Sequence, residues 1–294
     1  MLAVRGLSKR IDGKAVLTEI DLELAAGGVA GLIGRNGAGK TTLLRVISGI
    51  LDPDGGEVLF EGRSVHREPE VKRELVFIPD SPEAWYGYTG WGAAYMFGQI
   101  YPRFDPACFR DMMNRLGLPL DRNIRHFSKG MRMMFSTALG LSTRAKLVLL
   151  DEPTNGIDPI AKKQVLTLLM EAAADGMSLV VSSHLLEELE RMTDTILLMR
   201  AGSVEMHASQ GVADGIVAKL QVVFGGAAPE AWLRSPDVRV LEHIGRVYTL
   251  LLNAAPGSAA LKELEAMRPL LMEPLPVRLE DLYVWKLGGE PYAE

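Results

Sequence analysis

The sequence predicts an α/β fold with a largely parallel sheet, a helical insertion and a small α+β domain at the C-terminal end. Short apolar runs with strand spacing recur before residue 85, and strands alternate with helices again from residue 146. The stretch from about 85 to 145 is mainly helical in its spacing, and the pattern changes once more after about residue 208. Alternating strands and helices imply a parallel sheet covered on both faces. The predicted domains are residues 1–207, with the insertion at about 85–145, and residues 208–294.

The first three strands are predicted from apolar runs separated by turns: "LAVRGL", "KAVLTEIDLEL" and "GVAGLIG". Alternation in the first two indicates that each has one solvated face. From Thr41 the spacing becomes helical in "TTLLRVISGI", and the turn cluster "DPDGG" closes this segment. A strand, a glycine loop and a helix therefore follow one another.

The later elements repeat this alternation. The segments "KLVLL", "SLVVSS" and "TILLM" are predicted strands, with a helix at "LLEELERM" and a turn at "RAGS". After about residue 208, strands are predicted in "LQVVFGG" and "DVRVLEHIGRVYTLLLN", and a helix in "SAALKELEAM", before the ending "LEDLYVWKL". This composition predicts the small α+β accessory domain.

Length and charge limit the possible function. The chain has 294 residues, a net charge of -5 and a pI near 5.7, so nucleic acid is not an expected partner. The single cysteine, Cys108, excludes an intramolecular disulfide and a cysteine-based metal cluster. The N-terminus lacks a signal-peptide pattern, and the apolar runs are shorter than the ~20 residues that span a bilayer. We expect a cytoplasmic protein that reaches a membrane only through a partner.

The segment "GRNGAGKT" fits the pattern G-x-x-x-x-G-K-[ST], in which backbone N–H groups and a helix N-terminus surround phosphate oxygens. Lys40 can then reach the β- and γ-phosphates, and the Thr41 hydroxyl can ligate Mg²⁺. The alternative is a chance glycine turn before a helix. The nucleotide-binding residues predicted here are Gly34, Arg35, Asn36, Gly37, Ala38, Gly39, Lys40, Thr41 and Thr42.

Two acids follow the predicted strand in "KLVLLDEP", at the sheet edge where ligands of open α/β sheets bind. Asp151 can hold Mg²⁺ through its water shell, and Glu152 can orient and polarise the attacking water. Alternatively, the pair is a carboxylate cluster favoured by a helix N-terminus. His184 follows "SLVVSS" at the same edge, although a lone histidine is commonly a capping or surface residue.

Taken in order, these motifs resemble those of the ATP-binding subunits of ABC transporters: "GRNGAGKT", "FSKGM" at 127–131, "LVLLDEP", "NGID" at 155–158 and then His184. The resemblance covers the whole chain. It implies a P-loop, RecA-like core with an inserted helical subdomain, Mg²⁺-dependent ATP hydrolysis, and two subunits that meet head to tail around two ATP molecules.

The resemblance also implies roles for individual residues. Asp158 would lie at the dimer seam, and His184 would bond the γ-phosphate beside Glu152. The residues implied to contact ATP bound by the opposite subunit are Ser128, Lys129, Gly130 and Met131.

The chain departs from the family pattern at three places. Lys129 and Met131 replace the first glycine and the glutamine of the usual L-S-G-G-Q, and Lys129 is either solvated or adds charge near the γ-phosphate. The aromatic residue that usually stacks on adenine is replaced by Ile11, so Ile11 and Val16 are predicted to bind the base through apolar contact.

The third departure is Asp80, in "LVFIPDSPEAWYGYTGW", where the family normally has glutamine. An aspartate can ligate Mg²⁺, and acidic versions are familiar among exporter-type members; alternatively, Asp80 caps the turn that begins at "SPEA". Many aromatic residues follow, and about half are expected in the core of the helical subdomain. Trp85, Tyr86 and Tyr88 are predicted to line the groove that receives a helix of the membrane subunit.

The accessory domain and the segment "YPRFD" look like those of ATPase subunits that power drug, antibiotic-peptide or lipid exporters. The resemblance thus implies ATP and Mg²⁺ as cofactors, a second ATPase subunit in a homodimer or heterodimer, and integral membrane permease subunits as partners. It also implies that this chain is a peripheral protein at the cytoplasmic face of the cell membrane. The alternatives are an importer ATPase, a soluble ABC ATPase of the cluster-assembly type, and a P-loop kinase, for which "FSKGM" would have no use.

Overall fold

The computed structural model describes residues 1–81, 83–183, 193–209, 217–226, 229–254, 258–277, 281 and 284–285. The chain divides into two compact units, Met1–His207 and Ala208–Glu294. The mixed α/β class predicted from the sequence is confirmed. The predicted helix "LLEELERM" lies outside the described residues.

An antiparallel sheet opens the first unit. Its strands are β1 (Leu2–Ile11), β2 (Lys14–Leu24), β4 (Gly55–Phe60) and β5 (Arg63–Ser64), in the order β2-β1-β4-β5. On β2 the buried side chains Leu17, Ile20, Leu22 and Leu24 face the core, while most residues between them are exposed. The predicted solvated face is therefore present, and β1 extends beyond "LAVRGL" because it pairs with β2 up to the turn at Asp12.

The second sheet of this unit is the predicted, mainly parallel one. Its strands are β3 (Val29–Ile33), β6 (Leu75–Ile78), β7 (Leu147–Leu150), β8 (Ser178–Ser183), β9 (Thr195–Arg200) and β10 (Ser203–Ser209), ordered β10-β9-β3-β8-β7-β6. Parallel pairing joins β6, β7, β8, β3 and β9. Every residue of β3, β7 and β8 is buried, as expected for strands covered on both faces. The carboxyl ends of these strands therefore share one edge.

Among the described residues, the helices of the first unit are α1 (Lys40–Ile47), α2 (Gly90–Ile100), α3 (Pro106–Arg115), α4 (Lys129–Leu141) and α5 (Pro159–Ala174), with 3-10 turns at Pro69–Glu74, Glu83–Trp85 and Ile124–His126. Four of these helices begin at a side chain that accepts a backbone N–H: Thr89, Asp105, Ser128 and Asp158. Such caps satisfy donors that a helix leaves free at its start, so these residues fix where each helix begins.

The second unit is a small α+β fold. Its strands are β11 (Val217–Val223), β12 (Val238–Ile244), β13 (Val247–Asn253) and β14 (Leu271–Leu275), ordered β12-β13-β11-β14 with antiparallel pairing. Two helices, α6 (Glu230–Leu233) and α7 (Ala260–Ala266), accompany this sheet, and Trp232 and Leu264 are buried in its core. From the ending "LEDLYVWKL", Asp281 is buried and accepts hydrogen bonds from Lys219 Nζ at 2.9 and 3.0 Å.

Within the described parts of both units, no helix combines the length and the apolarity needed to cross a bilayer.

Candidate functional site

The loop between β3 and α1 is shaped by its glycines. Gly37 and Gly39 have φ angles of +84° and +109°, which side-chain-bearing residues rarely adopt. A Cβ on Gly39 would also lie 2.8 Å from Met199 Cε and 3.1 Å from the Val16 carbonyl oxygen. Among the described residues, the N–H groups of Asn36, Gly37 and Gly39 donate to no backbone carbonyl. The loop therefore presents free donors of the kind that bind phosphate oxygens.

Lys40 lies buried at the start of α1. Its ammonium donates to the Gly34 carbonyl at 2.5 Å and lies 3.0 Å from Glu152 Oε1. A buried ammonium needs such partners, because desolvation of an isolated charge is costly. The contact brings the glycine loop and the acid that follows β7 together, as the sequence predicted for two motifs at one sheet edge.

A chain of hydrogen bonds joins three elements at this edge. The Thr41 hydroxyl donates to Asp151 Oδ2 at 2.7 Å, and the Ser182 hydroxyl donates to Asp151 Oδ1 at 2.8 Å. Ser182 Oγ in turn accepts the Glu152 N–H at 2.9 Å. Both oxygens of the Asp151 carboxylate are thus fixed, so its position is determined by α1 and β8. Ser182 did not emerge from the sequence, although its place near the end of "SLVVSS" was a usable signal.

Glu152 has an unusual backbone. Its φ is +47°, in the left-handed region that costs a non-glycine residue of order 1 to 3 kcal/mol. The conformation is held from both sides, since the N–H donates to Ser182 and the carbonyl accepts the Asn155 N–H at 3.1 Å. This strained and buried backbone directs the carboxylate towards Lys40.

These groups line a cavity of about 690 Å³, within the size range of small-molecule sites. Of the predicted residues, those that line it are Ile11, Val16, Arg35, Asn36, Gly37, Gly39, Lys40, Thr41, Thr42, Asp80, Asp151 and Glu152. Gly34 and Ala38 belong to the loop but not to the lining. Sequence reasoning missed Asp12 and Lys14, at the β1–β2 turn, and Asn155. The available signals were the position of Asp12 and Lys14 close to Ile11 and the place of Asn155 at the start of the motif "NGID".

The cavity is lined by oxygen atoms that can ligate Mg²⁺, namely those of the Thr41 hydroxyl and of the Asp151 and Asp80 carboxylates. Throughout the described residues, no group of three or more His, Cys, Asp and Glu side chains is placed to hold a metal ion. A cation here would therefore also need phosphate oxygens or water. The Asp80 carboxylate accepts no hydrogen bond from the described residues of the following turn, so the geometry of a helix cap is not seen there.

The residues of "FSKGM" lie apart from this cavity. Ser128 caps α4 by accepting a hydrogen bond from the Met131 N–H at 3.2 Å. Gly130 lies close to Asp158, since a Cβ added to Gly130 would be 3.5 Å from Asp158 Oδ2. Asp158 caps α5 through the N–H groups of Ile160 and Ala161, both at 3.0 Å. None of the predicted residues 128–131 and 158 belongs to the described lining of the cavity. His184 lies outside the described residues.

Of the aromatic residues predicted to line a docking groove, two are only partly exposed. Trp85 packs edge to face against Phe97 and Tyr88, with ring centroids 5.2 and 5.9 Å apart. Tyr86 is half-buried, and its hydroxyl accepts a hydrogen bond from Arg132 Nη1 at 2.8 Å. Of the three residues predicted to line a docking groove, only Tyr88 is exposed, at 39%.

Comparisons with known proteins agree with this arrangement. The family model described as "ABC transporter" matches residues 17–155. The ABC transporter ATP-binding protein YtrB of Bacillus subtilis (strain 168) is 34% identical over 293 residues, which cover 99% of each chain. A solved structure described as the ATP binding subunit of an ABC transporter is 28% identical, with a TM-score of 0.64, over 71% of this chain and 90% of that one.

Two further relatives carry names for different transport processes. The lantibiotic transport ATP-binding protein SrtF of Streptococcus pyogenes is 30% identical over 69% of this chain and 89% of its own length. The ribose import ATP-binding protein RbsA 1 of Rubrobacter xylanophilus is 31% identical over 69% of this chain and 43% of its own length.

Proposed function

Because the chain belongs to the family of ABC transporter ATP-binding proteins, we propose that it is the Mg²⁺-dependent ATPase subunit that powers a membrane exporter. Members of this family bind and hydrolyse ATP. The observation that carries the proposal is the convergence of Lys40, Thr41, Asp151 and Glu152 on one cavity next to a glycine loop with free N–H donors.

The cavity residues divide the chemistry between them. Lys40 and the loop N–H groups bind the phosphates, and Ile11 and Val16 contact the base through apolar surface. Glu152 orients the attacking water and accepts its proton, a role that suits a carboxylate held in one direction by its backbone. His184 is proposed to bond the γ-phosphate, as the family resemblance implies.

Thr41, Asp151 and Asp80 are the residues that would hold Mg²⁺. When bound, the cation would neutralise charge on the β- and γ-phosphate oxygens. Ser182 contributes by fixing Asp151 Oδ1, which leaves the Thr41 side of that carboxylate directed at the cavity. This arrangement supports an oxygen-only site, which Mg²⁺ prefers.

We propose that the working unit is a head-to-tail dimer. Ser128, Lys129, Gly130 and Met131 do not line the cavity of their own chain, so their proposed nucleotide is the one bound by a second subunit. Support comes from the capped N-terminus of α4, whose backbone donors can face a phosphate. Asp158, beside Gly130 on the same surface, is proposed to lie at the seam.

The direction of transport is proposed to be export. The relative named for lantibiotic transport spans nearly all of its own length in the match, whereas the relative named for ribose import is matched over less than half of its length. Import remains the second candidate, because the ribose-import name occurs at similar identity. The unit at 208–294 is proposed to be an accessory domain, and the match to YtrB extends over this unit as well.

The membrane subunit is proposed to dock near Trp85, Tyr86 and Tyr88. The Tyr88 ring is exposed, and Trp85 packs edge to face against it. Aromatic residues of this kind are common anchors in protein interfaces.

Purification from detergent extracts of the native membranes tests the proposal. An integral membrane protein should copurify with the chain, and the chain should hydrolyse ATP only in the presence of Mg²⁺. Tyr88→Ser should reduce the recovery of that protein, while Ile160→Ser, an equally drastic change at a residue that is 75% exposed, serves as the matched control. A Mg²⁺-dependent ATPase that never copurifies with a membrane protein would argue for a soluble ABC ATPase instead.

A further inference from the structure

The segment that follows Asp80 is joined to the segment that leads into α4. Ile124 N–H donates to the Tyr88 carbonyl at 2.9 Å, and Trp91 N–H donates to the Leu120 carbonyl at 3.2 Å. Between them, Thr89 pairs with Asn123 in an antiparallel bridge. These backbone hydrogen bonds hold the two segments together.

A side-chain contact continues this connection into α4 itself. Arg132 Nη1 donates to the Tyr86 hydroxyl at 2.8 Å, and the guanidinium carbon lies 5.0 Å from the centre of the Tyr86 ring. The Arg132 N–H donates to the Ser128 carbonyl at 2.9 Å, so this arginine stands one helical turn from the cap. The residue that anchors to Tyr86 therefore belongs to the turn that begins at Ser128.

The charge of Arg132 is unfavourable where it stands. A cation in the first turn of a helix opposes the helix dipole, and the first turn of α4 contains no acidic residue to offset it. Within the described residues, the Arg132 guanidinium pairs with no carboxylate, and its hydrogen-bond partner is the neutral Tyr86 hydroxyl. Tyrosine thus fixes the guanidinium without neutralising it, so the positive potential at the start of α4 is kept.

We propose that Arg132 is a positioning residue which, through Tyr86, sets the orientation of the Ser128 turn towards the ATP of the opposite subunit. The contact would couple the segment that begins at Asp80, a residue that lines this chain's own nucleotide cavity, to the neighbouring subunit's nucleotide. The inference rests on the head-to-tail dimer of the proposed function and adds the pair of side chains that regulates its closure.

The two partners can be altered separately. Tyr86→Phe keeps the ring under the guanidinium but removes the hydroxyl acceptor. Arg132→Met keeps an unbranched stem but removes the charge and the donors, while Arg132→Lys keeps the charge without the planar fork. Because both single changes remove the same hydrogen bond, the double variant should be little worse than Arg132→Met alone.

ATP-driven dimerisation provides the measurement, with light scattering as the readout and Glu152→Gln present in every chain to prevent turnover. We expect Tyr86→Phe and Arg132→Met each to raise the ATP concentration for half-maximal dimerisation about fivefold, with a non-additive double variant. Arg132→Lys should recover part of the loss. Tyr95→Phe, at a residue that is 69% exposed, is the matched control and should behave like its parent.

A second measurement distinguishes an effect on the Ser128 turn from a general loss of ATP binding. In chains that also carry Ser128→Arg, which blocks dimerisation, the affinity for ATP reports the glycine-loop site alone. Tyr86→Phe and Arg132→Met should leave this affinity unchanged. The inference would be overturned if the variants weakened this ATP affinity as much as they weaken dimerisation. Additive effects of the two changes on dimerisation, or no effect of either change on dimerisation, would also overturn it. A Glu152→Gln parent that never dimerises with ATP would overturn the proposed dimer as well.

Discussion

At the scale of single residues, Glu152 is constrained through both its backbone and its side chain. Its backbone lies in the left-handed region, and its carboxylate stands 3.0 Å from the buried Lys40 ammonium. Such strain persists only where the surroundings enforce it, and here Ser182 and Asn155 hold the peptide groups on either side. The fixed direction of the carboxylate is what a residue that orients water requires.

Replacing Glu152 with glutamine tests this role. The amide has almost the same shape but cannot accept a proton, so ATP turnover should fall by at least about 100-fold. ATP binding should persist, because Lys40 and Thr41 remain. Phosphate release and equilibrium ATP binding measure the two effects. Glu171→Gln, at a surface ion pair with Arg115, is the matched control and should leave turnover unchanged. Turnover within a few-fold of the wild-type value would remove Glu152 from the chemistry.

Asp80 is the residue at which the chain departs from its family's usual glutamine. If its carboxylate helps to hold Mg²⁺, Asp80→Ala should raise the Mg²⁺ concentration for half-maximal ATPase activity by about tenfold. Asp80→Gln retains an oxygen ligand and should cause a smaller shift. The experiment is a Mg²⁺ titration at saturating ATP. An unchanged titration curve for Asp80→Ala would show that the side chain does not contact the cation.

At the scale of elements, strand order explains which site residues could be found from the sequence. Thr41 and Asp151 were each predicted from short motifs to hold Mg²⁺, and the structure joins their side chains at 2.7 Å. Ser182 was missed because its contact depends on β8 lying between β3 and β7, an order that no local pattern encodes. The contact of Tyr86 with Arg132, 46 residues apart, depends on side-chain packing in the same way.

Asp105 shows how one carboxylate sets the start of an element. It caps α3 by accepting the Cys108 N–H at 2.9 Å and lies 3.3 Å from Arg144 Nη2. The Cys108 N–H, with help from Arg144, holds the pKa of Asp105 below its usual range. A carboxyl group whose pKa is lower in the folded state stabilises the fold above its ordinary pKa. That stability is lost as the pH falls through the lowered value.

Substitutions of Asp105 should distinguish the contribution of the helix cap to stability from the contribution of the carboxylate charge. Asp105→Ala should reduce the free energy of unfolding by about 1 kcal/mol, whereas Asp105→Asn should retain most of the cap. The difference between the wild type and Asp105→Asn should be present at neutral pH and shrink as the pH falls below about 4. Urea unfolding at several pH values measures both effects. An alanine variant as stable as the wild type would show that the cap contributes nothing.

At the scale of the whole molecule, half of each proposed ATP site is missing from any single chain. The glycine loop and the acids line one cavity, while Ser128 and its neighbours lie elsewhere on the same unit. The sequence allowed both halves to be recognised through their motifs, because each motif is a short continuous segment. The sequence did not identify Asp12, Lys14 and Asn155 as lining residues, although Asn155 begins the motif "NGID". Their place in the lining depends on the conformations of the β1–β2 turn and of the loop after Glu152.

The most direct test of the account mixes two defective chains, both carrying Glu152→Gln. One also carries Lys40→Ala and the other Ser128→Arg, so neither should dimerise alone with ATP and Mg²⁺. In a mixed head-to-tail pair, both defects fall in one site and the other site is intact. Light scattering should therefore detect dimers only in the mixture, with one ATP bound per dimer. Failure of the mixture to form dimers, when the Glu152→Gln parent does form them, would contradict the claim that two chains share each ATP.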